Sequence, residues 1–406
     1  MKVLYVTGSC LTRNTSANMS HNAFVQGLLE NGCELDILSA AESWGMEDSA
    51  LPVWEKARYF TYPSVSVQDR LRLSLRGKAP APASAPAAPG TADAPKRPGA
   101  KAVIRQLLKK AFYRVFRPDP LYPLEKEWLK NAVKFNSEEH YDLVVSNSSP
   151  AASHCLVEKL REKGRLRFDR WIQIWEDPWS HDLYGHYPPA IEEEEHRLLR
   201  AASEIAYVSP LTLMYQKQYF PDCADKMFCI PLPALRYESD AAQDRTNELS
   251  FGYFGDYYSA ARDLRPFYEA VVAAGCRAYI YGDTDLHLER SEKVEISPRV
   301  TLDRLKAVQE KASVLVHLSN LRGGQIPGKI YHYSVTSKPI LFILDGSKEE
   351  KEALLRFFSQ YDRYCFCDNS VNNIRLTMER IAQENRMYAP VKDFYPENIV
   401  KQLLAR

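Results

Sequence analysis

Residues 323–343, GGQIPGKIYHYSVTSKPILFI, contain a turn, a helix and a strand in that order. Gly323, Gly324, Pro327 and Gly328 are turn formers, so the backbone there can approach a ligand closely and leave N–H groups unpaired. Lys329 to Ser337 reads as a short helix with Ile330, Tyr333 and Val335 on its buried side. Lys338-Pro339 ends it, and Ile340 to Leu344 is an uninterrupted apolar run typical of a buried parallel strand. A glycine turn feeding a helix N-terminus suits an anion, because free N–H groups and the helix dipole favour negative charge. Lys329 opposes that dipole from the first turn. An anion held between the two would resolve the conflict; a bland loop is the alternative.

The start of the chain has the same grammar. Val3 to Val6 is a buried strand, and Phe24, Leu28 and Leu29 mark a helix that stops at Asn31-Gly32, a good C-cap pair. Glu34 to Ser39 is the next strand. This β-α-β unit predicts a doubly wound α/β sheet. No Gly-x-Gly-x-x-Gly follows the first strand, which argues against a dinucleotide-dependent oxidoreductase. A chain of 406 residues suits two domains. The boundaries are drawn at 1–232 and 250–388, with a polar linker at 233–249 and a terminal helix at 389–406.

Charge and composition exclude several classes. The net charge of +1 argues against a nucleic-acid binder. The eight cysteines are scattered, and Cys365-x-Cys367 places both thiols on one face of a strand, so reduced thiols in a cytoplasmic protein are expected. No apolar run approaches the ~20 residues of a spanning helix, and no signal peptide is recognised. Residues 77–100 are Pro/Ala-rich and read as a disordered insertion. Residues 101–117, KAVIRQLLKKAFYRVFR, combine an apolar stripe with six cations and no acid. That stretch is either a core helix with a solvated basic face or an interfacial helix on anionic lipid.

Further on, Pro118-Asp119-Pro120 and Trp128 precede YDLVVSNSSPAASH (141–154) and RWIQIWEDPW (170–179). Asp177 falls at the carboxyl end of a strand, where such sheets keep their ligands. It either caps the loop or contacts a substrate. His181, Asp182 and His186 are alternative acid–base groups. The acids Glu192 to Glu195 open a helix, where the dipole accounts for them. FGYFGDYY (251–258) begins a second β-α unit with Gly255 at the strand end, and Arg262 and Arg265 lie before or at the next helix. Asp283-Thr284-Asp285 has no context that would make it a metal site.

Taken together, Pro-x-Lys, the aromatic helix, Lys-Pro before an apolar strand and the 118–179 series resemble the GT-B glycosyltransferases. The closest likeness is to the retaining group called glycosyltransferase family 4, across most of the chain except 40–135. The resemblance implies two Rossmann-like domains facing a cleft, with the terminal helix 389–406 crossing back to the first domain. It also implies metal-independent transfer of a sugar, hexosyl in type, with retention of configuration, from a nucleotide sugar to a lipid-linked or polysaccharide hydroxyl. Localisation would be cytoplasmic, and peripheral on the inner face of the cytoplasmic membrane if 101–117 meets anionic lipid.

The implied donor site comprises Gly255, Arg262, Arg299, Gly324, Gln325, Ile326, Pro327, Gly328, Lys329 and His332. Lys329 and Arg262 would neutralise the departing diphosphate, while 297–300 brackets the base through backbone groups. Ser9, Ser16, Asn18, His21, Asp177 and His181 would face the sugar and acceptor. Asp177, Lys329 and Arg262 carry catalysis in this reading, and no cofactor or metal is implied. Three departures stand out. Thr15-Ser16 replace a glycine pair, and Glu176 replaces an arginine. Gly324 and His332 occupy two positions that are glutamates in the family, the second of which binds ribose. A histidine can hydrogen-bond a ribose hydroxyl. The competing classes are a non-catalytic GT-B-like subunit and a membrane scaffold.

Overall fold

The computed structural model describes residues 1–41, 51–65, 121–183, 187–235 and 249–406. The insertion 77–100, the stretch 101–117, residues 118–120, His186 and most of the linker 233–249 lie outside the described residues. Strands β1 (Lys2–Val6), β2 (Glu34–Ala40), β3 (Arg58–Tyr62), β4 (His140–Asn147), β5 (Arg167–Trp175), β6 (Glu204–Tyr207) and β7 (Met227–Cys229) form one sheet in the order β3-β2-β1-β4-β5-β6-β7. Strands β8 (Ser250–Phe254), β9 (Arg277–Tyr281), β10 (Val294–Ser297), β11 (Val314–Leu318), β12 (Ile340–Leu344) and β13 (Tyr364–Asp368) form the second, ordered β10-β9-β8-β11-β12-β13. Every pairing is parallel.

These are two Rossmann-like doubly wound domains, the α/β class that the opening β-α-β unit predicts. Strand order reverses between β1 and β4 and again between β8 and β11, and ligands of such sheets bind beyond the carboxyl ends at those points. The edge strands β3 and β7 go unread in the sequence, because a short edge strand with one open face carries no continuous apolar run. All eight cysteines are free, and Cys365 and Cys367 lie buried on one face of β13.

The helix after the glycine turn is shorter than the sequence predicts, Lys329–Ser334 instead of 329–337. Buried Arg363 explains where the freed carbonyls go. Its guanidinium donates to the carbonyls of Tyr333 (3.1 Å), Thr336 (2.8 Å) and Lys338 (2.5 Å). Pro339 keeps its predecessor out of the helical region, and Lys338 turns away to cap helix Leu302–Lys311. There its Nζ donates to the carbonyls of Gln309, Glu310 and Ala312 at 2.6–2.9 Å.

Two of the junctions between the domains bear on the site. The terminal helix Pro396–Leu404 packs on helix Ser16–Glu30 with Ile399, Val400 and Leu403 fully buried. Gly27 permits that approach, since a Cβ there would lie 2.3 Å from the Pro396 carbonyl oxygen. The glycine turn makes the second junction. Ser209 Oγ and Thr212 Oγ1, at the start of helix Pro210–Tyr219, donate to the Gly324 carbonyl at 2.5 and 2.8 Å. A Cβ at Gly324 would sit 2.8 Å from Thr212 Cα. The carbonyl of this glycine and its lack of a side chain serve the seam between the domains; the sequence reading concerned its N–H.

Candidate functional site

The second domain gathers cations beyond β8 and β11. Tyr333 Oη donates to the Phe254 carbonyl at 3.3 Å, which sets the short helix against the end of β8. Lys329 is half-buried and makes no hydrogen bond or ion pair with any described residue. Burial lowers its ammonium pKa to about 8; Asp256 opposes the shift and Arg299 adds to it. Arg299 donates Nε to Asp256 Oδ1 at 2.9 Å and pairs with Oδ2 through Nη2. Arg262 acts electrostatically on both Asp256 and His317. Arg265, not Arg262, takes the surface pairing with Asp263, at 2.6 Å. Of the two arginines, Arg262 is the one whose charge acts on Asp256 at the strand end.

His332 is half-buried beside Lys329, and burial first, then that ammonium, lowers its pKa to about 4. It is therefore a neutral imidazole at pH 7, able to donate one hydrogen bond and accept another. Gly255 stays close to Gly282, where a Cβ would lie 1.9 Å from the Gly255 carbonyl oxygen. Asp283 and Asp285 are engaged locally: Asp283 accepts from the Arg299 N–H, and Asp285 from the N–H and hydroxyl of Ser259. The helix dipole expected here is weak, because six residues align few peptide units. Charge at this end comes mainly from side chains.

Sequence reasoning missed Asp256. It supplies within the protein part of the negative charge that the first-turn lysine seemed to demand from a ligand. Its place directly after Gly255 at a strand end was the available signal.

The first domain presents Asp177 across the cleft. Protein crowds the carboxyl, stripping water from its charged form, and pushes its pKa up to about 6; the Gln325 amide pulls it down and Asp182 raises it. The residue as a whole is nonetheless exposed. Glu176, directly before it, is buried and raised well above the usual carboxylate range by burial and by Asp177. The loop that carries Asp177 is pinned from beneath by Glu195. That fully buried carboxylate accepts from Trp179 N (3.2 Å), Ser180 N (2.7 Å) and Ser180 Oγ (2.5 Å). The helix dipole does not account for Glu195, contrary to the sequence reading. His181 stacks on Tyr219 with ring centroids 3.7 Å apart.

Four further residues were expected to face the sugar or acceptor. Ser9 reaches the strand end, donating to the Ser149 carbonyl at 3.0 Å, and Ser16 is exposed at the first position of its helix. Asn18 and His21 do not face a cleft. Asn18 is buried and donates to the carbonyls of Cys10 (2.9 Å) and Arg13 (2.8 Å), closing its own loop. His21 is fully buried, with Nδ1 2.8 Å from Tyr5 Oη and a pKa lowered to about 4 by burial. The loop claims Asn18, because a tight polar loop has many carbonyls to satisfy, and burial against Tyr5 claims His21. Ile326 packs into the core, and Gly328 sits where a Cβ would come within 3.1 Å of Leu232.

No family model matches the chain, and no curated protein matches its sequence. In three dimensions it is similar to HepE of Anabaena, solved in complex with UDP. The TM-score is 0.53, the identity 12%, and the match covers 100% of this chain and 99% of that one. A glycosyltransferase from Rickettsia africae is similar at a TM-score of 0.50 and 10% identity, over 100% and 97% of the two chains. Likeness at this identity establishes the fold: two Rossmann-like domains in the GT-B arrangement.

Proposed function

We propose that the chain transfers a sugar from a nucleotide-sugar donor to a hydroxyl of a lipid-linked or saccharide acceptor, as a retaining enzyme akin to glycosyltransferase family 4. The observation that carries this reading is the turn 325–329: Gln325 donates to Asp177 of the opposite domain, and four residues further on the half-buried Lys329 has no ion pair among the described residues. Lys329 and Arg262 would stabilise charge as the diphosphate departs, an electrostatic role that needs no metal. Asp177 would meet the acceptor hydroxyl or the sugar. That HepE, a protein of the same fold, was solved with UDP makes UDP the first probe. A panel of nucleotide sugars should give stabilisation by at least one member, by mass action, followed by product formation with a saccharide or lipid-linked acceptor. Failure of every nucleotide to stabilise the protein would overturn the reading.

The substitution of histidine for the family's ribose-binding glutamate favours one competing reading, a non-catalytic nucleotide-binding subunit. If nucleotide binds only to the His332→Glu variant, the natural chain is that subunit. The acceptor is proposed to lie at an anionic membrane surface, on the strength of the six cations in 101–117. Replacing Lys109, Lys110 and Arg114 with Glu should weaken vesicle binding by about 1 kcal/mol per basic residue. A wild-type protein that ignores anionic vesicles at low salt would refute membrane docking. Among the described residues no helix is long and apolar enough to cross a membrane.

A further inference from the structure

One side chain connects the donor turn to the carboxylate on the opposite domain. Gln325 Nε2 donates to Asp177 Oδ1 at 2.7 Å and to Asp182 Oδ1 at 3.0 Å, while its Oε1 accepts from the Leu183 N–H at 3.2 Å. Both amide hydrogens and the carbonyl are therefore used. The flipped amide would set its oxygen against two carboxylates and its NH2 against an N–H donor, so the partners fix its orientation. The backbone beneath is equally constrained: Asn320 Nδ2 donates to the Gln325 carbonyl at 3.0 Å, and Ser209 and Thr212 hold the Gly324 carbonyl.

We propose that Gln325 is a positioning residue: it aims and sustains the Asp177 carboxylate, and does so only while the two domains are closed on one another. The proposal rests on the reading of Asp177 as the group that meets substrate, but its geometry stands without it. Resemblance placed Gln325 among the nucleotide contacts; its amide is committed instead to the opposite domain. The groups acting on Asp177 are Glu176 before it, Asp182 and Tyr187 on the same loop, and Gln325 from the other domain. Asp182 raises its pKa, and Gln325 lowers it. A charge-assisted N–H bond to an ionised carboxylate is stronger than one between neutral groups, so Gln325 offsets part of what burial costs the ionised Asp177 while the domains are closed. Opening the cleft removes that bond.

The test is Gln325→Leu, which keeps the bulk and removes the amide, alongside Gln325→Glu, which sets a third carboxylate between Asp177 and Asp182. Carboxyl NMR titration, with the Asp177 signal assigned by its loss in Asp177→Asn, reads the site without requiring turnover. Gln325→Leu should move the Asp177 midpoint upward from about 6 and carry the acid limb of any kcat/KM profile with it. At pH 6.5 kcat should fall about tenfold, with donor KM changed less than twofold. Gln325→Glu should increase the radius of gyration in small-angle scattering. An unmoved midpoint with unchanged scattering in both variants would overturn the proposal, whatever the activity. A moved midpoint in a protein that transfers no sugar would leave the positioning role intact and refute the enzyme reading.

Discussion

Asp256 holds Arg299 through both carboxylate oxygens, and the same carboxylate is the group that most raises the pKa of Lys329. The pairing controls the charge of the donor site before any ligand arrives. Asp256→Asn should move the Lys329 midpoint further below 8, because the desolvation that depresses it would then be unopposed by that charge. Amine labelling of Lys329 as a function of pH measures this. The Arg299 side chain is 66% exposed but that of Asp256 only 17%, and Asp256 also accepts the Asp283 N–H, so some loss of stability should accompany the change. An unmoved labelling midpoint would dissociate Asp256 from Lys329.

Glu195 lies under the loop that carries Asp177 and accepts three hydrogen bonds from it. Glu195→Ala strands the Trp179 and Ser180 N–H groups in a buried setting. The expected loss is about 1–3 kcal/mol per unsatisfied group, read as a lower midpoint in urea. Glu195→Gln, which retains one acceptor but sets its NH2 against one of the two N–H groups, should fall between Ala and wild type. Equal stability of all three would mean that the loop is held elsewhere.

These two acids also mark what the sequence discloses and what it conceals. The β-α-β opening and the apolar run 340–344 are legible because burial on both faces imposes continuous apolarity. Glu195 was readable as well, since it shares a helical face with Ile191, Leu198 and Leu199, all buried; its place in an acidic run hid it. The bond between Gln325 and Asp177 was not readable. The two are 148 positions apart, and no local pattern specifies which side chains meet across two domains. The shortened helix 329–334 depends likewise on Arg363, a residue outside it.

Asp177 should make stability depend on pH in a definite direction. Its pKa rises from 3.8 to about 6 in the fold, so the fold favours the neutral acid. Below the lower value the group is neutral in both states and contributes nothing. Between the two the unfolded chain loses its proton first, and stability declines as pH rises. Asp177→Asn cannot ionise. Its Tm should match wild type near pH 4 and exceed it at pH 7 to 8. Turnover should drop about a hundredfold or more if the carboxylate acts as general base, with nucleotide binding nearly intact. A Tm difference independent of pH would show that the carboxyl is not strained by its surroundings.

Lys329 decides between a site built for an anion and a turn that merely carries a lysine. Burial lowers its pKa from 10.5 to about 8, which means that the unfolded chain holds the proton more tightly than the folded one. At pH 7 the charged ammonium therefore costs stability, and that cost fades as pH rises from 8 toward 10.5. Lys329→Met, which keeps the stem's volume, should raise the Tm of the free protein at pH 7 and lose that advantage in alkali. It should also abolish stabilisation by UDP, a loss of about 1.5–3 kcal/mol for a charged hydrogen bond. In the wild type, a bound diphosphate restores the counter-charge that burial withholds, so the lysine pKa must rise on binding. UDP binding at pH 8 to 9 should then take up a proton, visible in titration calorimetry as a heat that changes with the ionisation enthalpy of the buffer. That proton should vanish in Lys329→Met. UDP binding with no proton uptake, and of equal strength in the variant, would remove Lys329 from the donor site.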